Sequence, residues 1–181
     1  LLGILEPTAL KIPLYNGIIE SQSLLEMGLG SMIGAVTFTG SIVAWGKLQG
    51  VFSSKPLVFP GQHLLNLLLV IGSFFALWVF SGSASLFTLT LVTLPALLLG
   101  FGLTLPIGGA DMPVIVSMLN SYAGWAAAGI GLTLHNSLLI ITGAIVGASG
   151  AILSFIMCKG MNRSFAQVIL GGFGADDTAT T

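Results

Sequence analysis

From Leu64 to Cys158 the chain carries a single formally charged side chain, Asp111, set in the stretch Gly108-Gly109-Ala110-Asp111-Met112-Pro113 between two long apolar runs. Only 6% of the 181 residues are charged and 55% are hydrophobic, against roughly a quarter charged in ordinary soluble domains. The chain therefore reads as an all-α, polytopic membrane helix bundle. A lone ion in hydrocarbon is strongly disfavoured, so Asp111 must stand at a helix end in contact with water or find a protein partner. That makes it the first functional candidate. The net charge of -1 gives no basic field for nucleic acid. The one cysteine, Cys158, has no partner for an intrachain disulfide. The opening Leu-Leu-Gly-Ile lacks both a methionine and the pattern of a signal peptide, and points to a piece of a longer protein.

A helix needs about 20 residues to cross a bilayer, with a range of about 17 to 25. Five segments meet that length and apolarity, near 25-47, 64-82, 86-105, 112-133 and 137-158. Turn residues separate them: Ser53 to Pro56 with Pro60 and Gly61, Ser81 to Ser85, Pro106 to Pro113, then His135 and Asn136. Pro95 falls inside the third span, where it removes a backbone donor and is expected to kink the helix. Residues 1-24, with Glu6, Pro7, Lys11, Pro13 and Glu20, read as the end of an earlier helix followed by an outer loop. Residues 25-160 form the transmembrane domain and residues 161-181 a connecting tail. Lys47, Lys55, Lys159 and Arg163 all fall on one membrane face, which the positive-inside rule makes cytoplasmic, or the matrix in a mitochondrion. Asp111 and the tail fall on the same face.

Small residues recur at helical spacing. Gly30, Gly34, Thr37, Ser41 and Ala44 share a stripe of the first span; Gly143, Gly147, Gly150 or Ala151, Ser154 and Cys158 share one in the fifth. Such stripes let helices approach closely, because association in lipid relies on packing and interhelical hydrogen bonds. The fourth span sets Ser117, Asn120, Ser121 and Gly124 at three- and four-residue intervals. An amide as deep as Asn120 must face other helices or a wet cavity. Spacing leaves two readings open, interhelical glue or a proton path in which Asn120, Ser117 and Ser121 hold water. Ser149 points away from the glycine stripe, roughly with Thr142. Glu26, beside Ser21 and Ser23, is either a solvated capping carboxylate or the lining of a proton entrance. Gly28-Leu29-Gly30 with Gly34 has the wrong spacing and setting for a dinucleotide loop. His63 and His135 stand at helix ends without metal-ligand neighbours. No nucleophile with a base, no paired carboxylates and no phosphate loop appears in the sequence, so no bond-making chemistry is expected of this chain alone.

Longer strings add what spacing cannot. Gly34-Ala35-Val36-Thr37-Phe38-Thr39-Gly40-Ser41, Ser53-Ser54-Lys55-Pro56, Ile107-Gly108-Gly109-Ala110-Asp111-Met112-Pro113 and Met118-Leu119-Asn120-Ser121-Tyr122 occur in that order. Gly147-Ala148-Ser149-Gly150-Ala151-Ile152-Leu153-Ser154 and Met161-Asn162-Arg163-Ser164 follow. Over about residues 24-174 the chain resembles the membrane domain of the beta subunit of proton-translocating NAD(P) transhydrogenase. The resemblance implies hydride transfer from NADH to NADP in soluble domains, coupled to proton movement through the membrane. It implies NADP and NAD bound outside this chain, and partners in the NAD-binding and NADP-binding domains, the other membrane helices and lipid. It also implies a dimer of the complete enzyme, in a bacterial cytoplasmic or mitochondrial inner membrane.

By matching motif, Asn120 resembles the channel asparagine and Asp111 the carboxylate facing the NADP-binding domain. Gly147, Ser149 and Gly150 resemble positions that tune coupling, Arg163 the basic residue of the connection, and Glu26 the acidic residue opening its helix. Ala148 stands where many relatives have a serine. The family's channel histidine belongs to an earlier helix, and neither His63 nor His135 matches its motif. The chain stops in Gly171-Gly172-Phe173-Gly174-Ala175-Asp176-Asp177, at the start of a polar connection, so neither nucleotide binding nor hydride transfer is expected of these 181 residues alone. Two other readings stand beside this one, a helix-packing subunit of an unrelated transporter and a structural anchor.

Overall fold

The computed structural model describes residues 2–10, 12, 14–15 and 18–170. Five helices are long and apolar enough to cross a membrane, as the sequence predicts. In chain order the elements are α1 (Leu2–Leu5), a two-residue antiparallel ladder of β1 (Leu14–Tyr15) and β2 (Ile18–Ile19), α2 (Ser21–Leu48), α3 (Gln62–Gly82) and α4 (Leu86–Thr104). A 3-10 turn at Gly109–Asp111 then leads into α5 (Met112–Thr133), α6 (Ser137–Gly160) and α7 (Phe165–Leu170). The chain is a multi-pass membrane protein.

Local chemistry sets the helix ends. The hydroxyl of Ser85 accepts from the amide of Phe87 at 3.3 Å, and the side chain of Asn136 from the amide of Leu139 at 3.2 Å, so α4 and α6 each begin with a side-chain cap. Gly61, at φ 88, provides the left-handed residue before α3. Pro113 sits in the first turn of α5, where its missing amide is harmless. Several expected boundaries move, α3 starting at Gln62 rather than 64 and the ends of α2 and α4 shifting by one residue. α2 starts at Ser21 rather than 25, because polar residues outside the apolar run still continue its hydrogen bonding, and α6 extends to Gly160 rather than 158. α4 runs on through Pro95, which leaves the carbonyl one turn earlier without an amide partner.

α2 is the centre of the bundle, packed against α3, α4 and α5; α3 pairs with α4, and α6 lies along α5. Residues 21–24, expected in the outer loop, belong to α2. Ahead of them Ile12 and Ile19 join Leu24, Ala76, Leu77, Phe80, Leu89 and Val92 in one buried cluster, which closes this end of α2 to α4. At the opposite end Ala44, Ile107, Met112, Val114, Ile115, Leu119, Cys158 and Val168 form a second cluster. The start of the expected connection is thus a docked helix, α7, whose Val168 is buried. The polar run from Gly171 lies outside the described residues, as do Lys11 and Pro13.

The glycine stripe of α6 meets α5 backbone to backbone. A Cβ on Gly143 would lie 2.5 Å from the amide nitrogen of Ala128, and one on Gly150 would lie 2.8 Å from that of Ser121. The first-span stripe turns toward α5 at Gly30, near Ile130, but Gly34 meets nothing within 4 Å.

Candidate functional site

α5 carries functional candidates from end to end. Its 22 residues rise by about 1.5 Å each, roughly 33 Å in all, close to the ~30 Å hydrocarbon thickness. Asp111 stands immediately before it and Thr133 ends it, so the two groups lie at opposite membrane faces.

At the Asp111 end the carboxylate is buried, with the residue 8% exposed. Arg163 donates from Nη1 to its Oδ2 at 2.7 Å. The arginine side chain is 54% exposed, so the pair is reached by water, and its net stabilisation is about 1 kcal/mol or less. Sequence reasoning named both residues without pairing them; they are 52 positions apart. Nearby, Lys47 is 2% exposed and donates from Nζ to the carbonyl oxygens of Leu105 at 2.5 Å and Ile107 at 2.6 Å. Its sequence showed only a basic residue at the end of a span. Lys47, the Ser54 loop and Arg163 all touch the Leu105–Asp111 linker. Their gathering at one end matches the charge asymmetry read from the loops.

In the middle of α5 the polar stripe divides. Ser117 and Ser121 are buried, and their hydroxyls donate across the α5–α6 seam to the carbonyls of Gly150 at 3.0 Å and Gly147 at 2.6 Å. Ser154 of α6 answers with a bond to the carbonyl of Val114 at 3.2 Å. Asn120 faces the other way. It is exposed and opens into a cleft of about 430 Å³ between α2 and α5, walled by Thr37, Ser41, Ala44, Trp45 and Leu48. Its amide makes no side-chain hydrogen bond among the described residues. Gly147 and Gly150 lie in the seam, while Ser149 is exposed on the far side of α6 and, among the described residues, its hydroxyl bonds only to the carbonyl of Val146, at 3.0 Å. Of the expected channel group, then, Ser117 and Ser121 come together, and Asn120 and Ser149 each stand apart from them.

At the far end Glu26 accepts from Thr133 at 3.2 Å and from Gln22 at 3.3 Å. It shares a hollow of about 350 Å³ with Glu20, Ser23, His135 and Ser137. His135 sits in the turn between α5 and α6 at φ 52. The rejected dinucleotide match is a packing feature, since Gly28 lies within α2 against Leu77 and Phe80.

The model of the NAD(P) transhydrogenase beta subunit family matches residues 5–181. The chain belongs to that family. Two curated relatives, both named NAD(P) transhydrogenase subunit beta and both from Rhodospirillum rubrum, are each 59% identical to it over 160 residues. The match covers 88% of this chain and 34% of each relative, so the chain spans about a third of their length. Membership in the transhydrogenase family sets aside the unrelated-transporter reading.

Proposed function

We propose that this chain is the part of a proton-translocating NAD(P) transhydrogenase through which protons cross the membrane, coupled to hydride transfer from NADH to NADP. The observation that carries the reading is the position of Asn120. An unpartnered amide in the middle of a spanning helix faces a cleft roomy enough for several waters, each taking about 30 Å³ of liquid volume, and its other walls include Thr37 and Ser41. Water held there by Asn120 passes protons without a permanent charge in the membrane. About 20 Å along α5 toward Thr133, the Glu26 and His135 hollow receives protons from the outer side. About 13 Å the other way, Asp111 and Arg163 form the inner terminus. Ser117 and Ser121 hold α5 to α6, and Gly147 and Gly150 keep that seam narrow. Ser149, on the outer surface of α6, meets another part of the complete enzyme.

NADP and NAD bind outside this chain, in domains that complete the enzyme together with the other membrane helices and lipid. Occupation of the NADP domain shifts the Asp111–Arg163 terminus by favouring one membrane conformation over another. The complete enzyme is a dimer in a bacterial cytoplasmic or mitochondrial inner membrane.

The test is Asn120→Leu in the complete enzyme in sealed vesicles. Proton uptake during hydride transfer is expected to fall at least about tenfold, equivalent to about 1.4 kcal/mol on the barrier. Wild-type rates of both processes would remove Asn120 from the path.

A further inference from the structure

We infer that Lys47 is a positioning residue for coupling, tying the inner end of α2, and with it one wall of the Asn120 cleft, to the backbone that carries Asp111. The inference rests on the proton-coupling reading above. The Lys47 charge is held by main-chain carbonyls, those of Leu105 and Ile107. A buried ammonium is strongly disfavoured without such partners. Packing alone would be served by an apolar side chain of the same length, which carries no desolvation penalty.

The two carbonyls are two residues apart and lie just past the end of α4, so one amine fixes the path of the chain as it leaves that helix. The same stretch is held from a second side. The amide of Leu57 donates to the carbonyl of Leu105 at 3.2 Å, and the amide of Gly109 donates to the carbonyl of Ser54 at 2.8 Å. Gly109 has no room to spare, since a Cβ there would lie 2.9 Å from that of Ser54. From Ile107 four residues lead to Asp111, and Asp111 is bonded to Arg163. In the other direction Lys47 lies on the helix that presents Thr37, Ser41 and Ala44 to the cleft. A continuous set of bonds therefore runs from Arg163 through Asp111 and the linker to Lys47 and the cleft wall. Displacement at the Arg163 end changes the cleft only while the Lys47 link holds.

The experiment measures protons moved per hydride transferred in sealed vesicles of the complete enzyme, for wild type, Lys47→Met and Gly109→Ala. The glycine variant displaces the same linker without removing a charge, and it decides the matter should Lys47→Met fail to assemble. The ratio is expected to fall at least about fivefold in each variant at wild-type levels of assembled enzyme, the lower end of ordinary coupling energies. A wild-type ratio in Gly109→Ala, or in an assembled Lys47→Met enzyme, overturns the inference. Hydride transfer without proton movement in the wild type itself overturns the proton-coupling reading instead, and the inference with it.

Discussion

Replacing Gly150 by alanine puts a methyl group into a part of the α5–α6 seam where backbone meets backbone. The new Cβ would stand 2.8 Å from the amide nitrogen of Ser121, 2.9 Å from the carbonyl of Ser117 and 3.0 Å from the Cα of Ser121. All three atoms are backbone, so no side chain can swing aside. Reaching ordinary carbon contact distances requires the helices to part by about half an ångström or more. At that separation the Ser154 bond to Val114, already 3.2 Å, and the Ser117 bond to Gly150, now 3.0 Å, reach or pass the hydrogen-bonding limit, while the 2.6 Å bond of Ser121 survives. Interhelical hydrogen bonds in membranes average about 0.6 kcal/mol. Two of them, with overpacking of about 1–3 kcal/mol, give a loss of about 2–4 kcal/mol. Gly129→Ala is the control, because a Cβ there meets nothing within 4 Å. Unfolding in mixed micelles of rising denaturing detergent, followed by circular dichroism, reads the difference. Equal midpoints for the two variants would refute the backbone-contact argument.

Arg163→Gln removes the Asp111 ion pair and is expected to lower stability by less than about 1 kcal/mol in the same assay, with the difference from wild type shrinking at high salt, because the arginine is half in water. Gly61→Ala forces a Cβ onto a backbone at φ 88 and is expected to destabilise by about 1–2 kcal/mol even though nothing lies within 4 Å of it; a midpoint matching wild type would contradict the strain argument.

Apolarity made the five spans legible, because a bilayer demands a near-unbroken run wherever the chain crosses. α5 was predicted at both ends, since Pro113 marks its first turn and the turn residues His135 and Asn136 follow close behind it. The start of α2 was not, because Ser21, Gln22 and Ser23 carry no apolar signal, although Ser23 is buried in the structure. Helical spacing correctly put the α6 glycines on one stripe. It also grouped Asn120 with Ser117 and Ser121, which are close along α5 but look toward different neighbours. Which face of α5 meets α6 depends on the fit of two backbones, and that fit is a property of the pair. Lys47 was legible as a charge and not as a clamp, because its partners are carbonyls 58 and 60 residues away, and every residue type supplies a carbonyl. The bond between Glu26 and Thr133 joins positions 107 apart, with no local pattern to announce it.

The two sides of α5 differ in slack. Toward α6 the backbones touch, three hydroxyl bonds cross the seam, and glycine, alanine or serine occupies the closest positions named above. Toward α2 there is an open cleft bounded by side chains. A helix so placed resembles a door leaf screwed along one edge and resting against its frame on the other: α5 is bonded to α6 along the seam, while toward α2 it is held by packing, as of Leu119 on Gly40, and by the bond between Glu26 and Thr133. Substitutions follow the same division, with the seam admitting only the smallest side chains and the cleft wall tolerating changes of volume. The slack on the α2 side lies at Asn120, where the cleft opens.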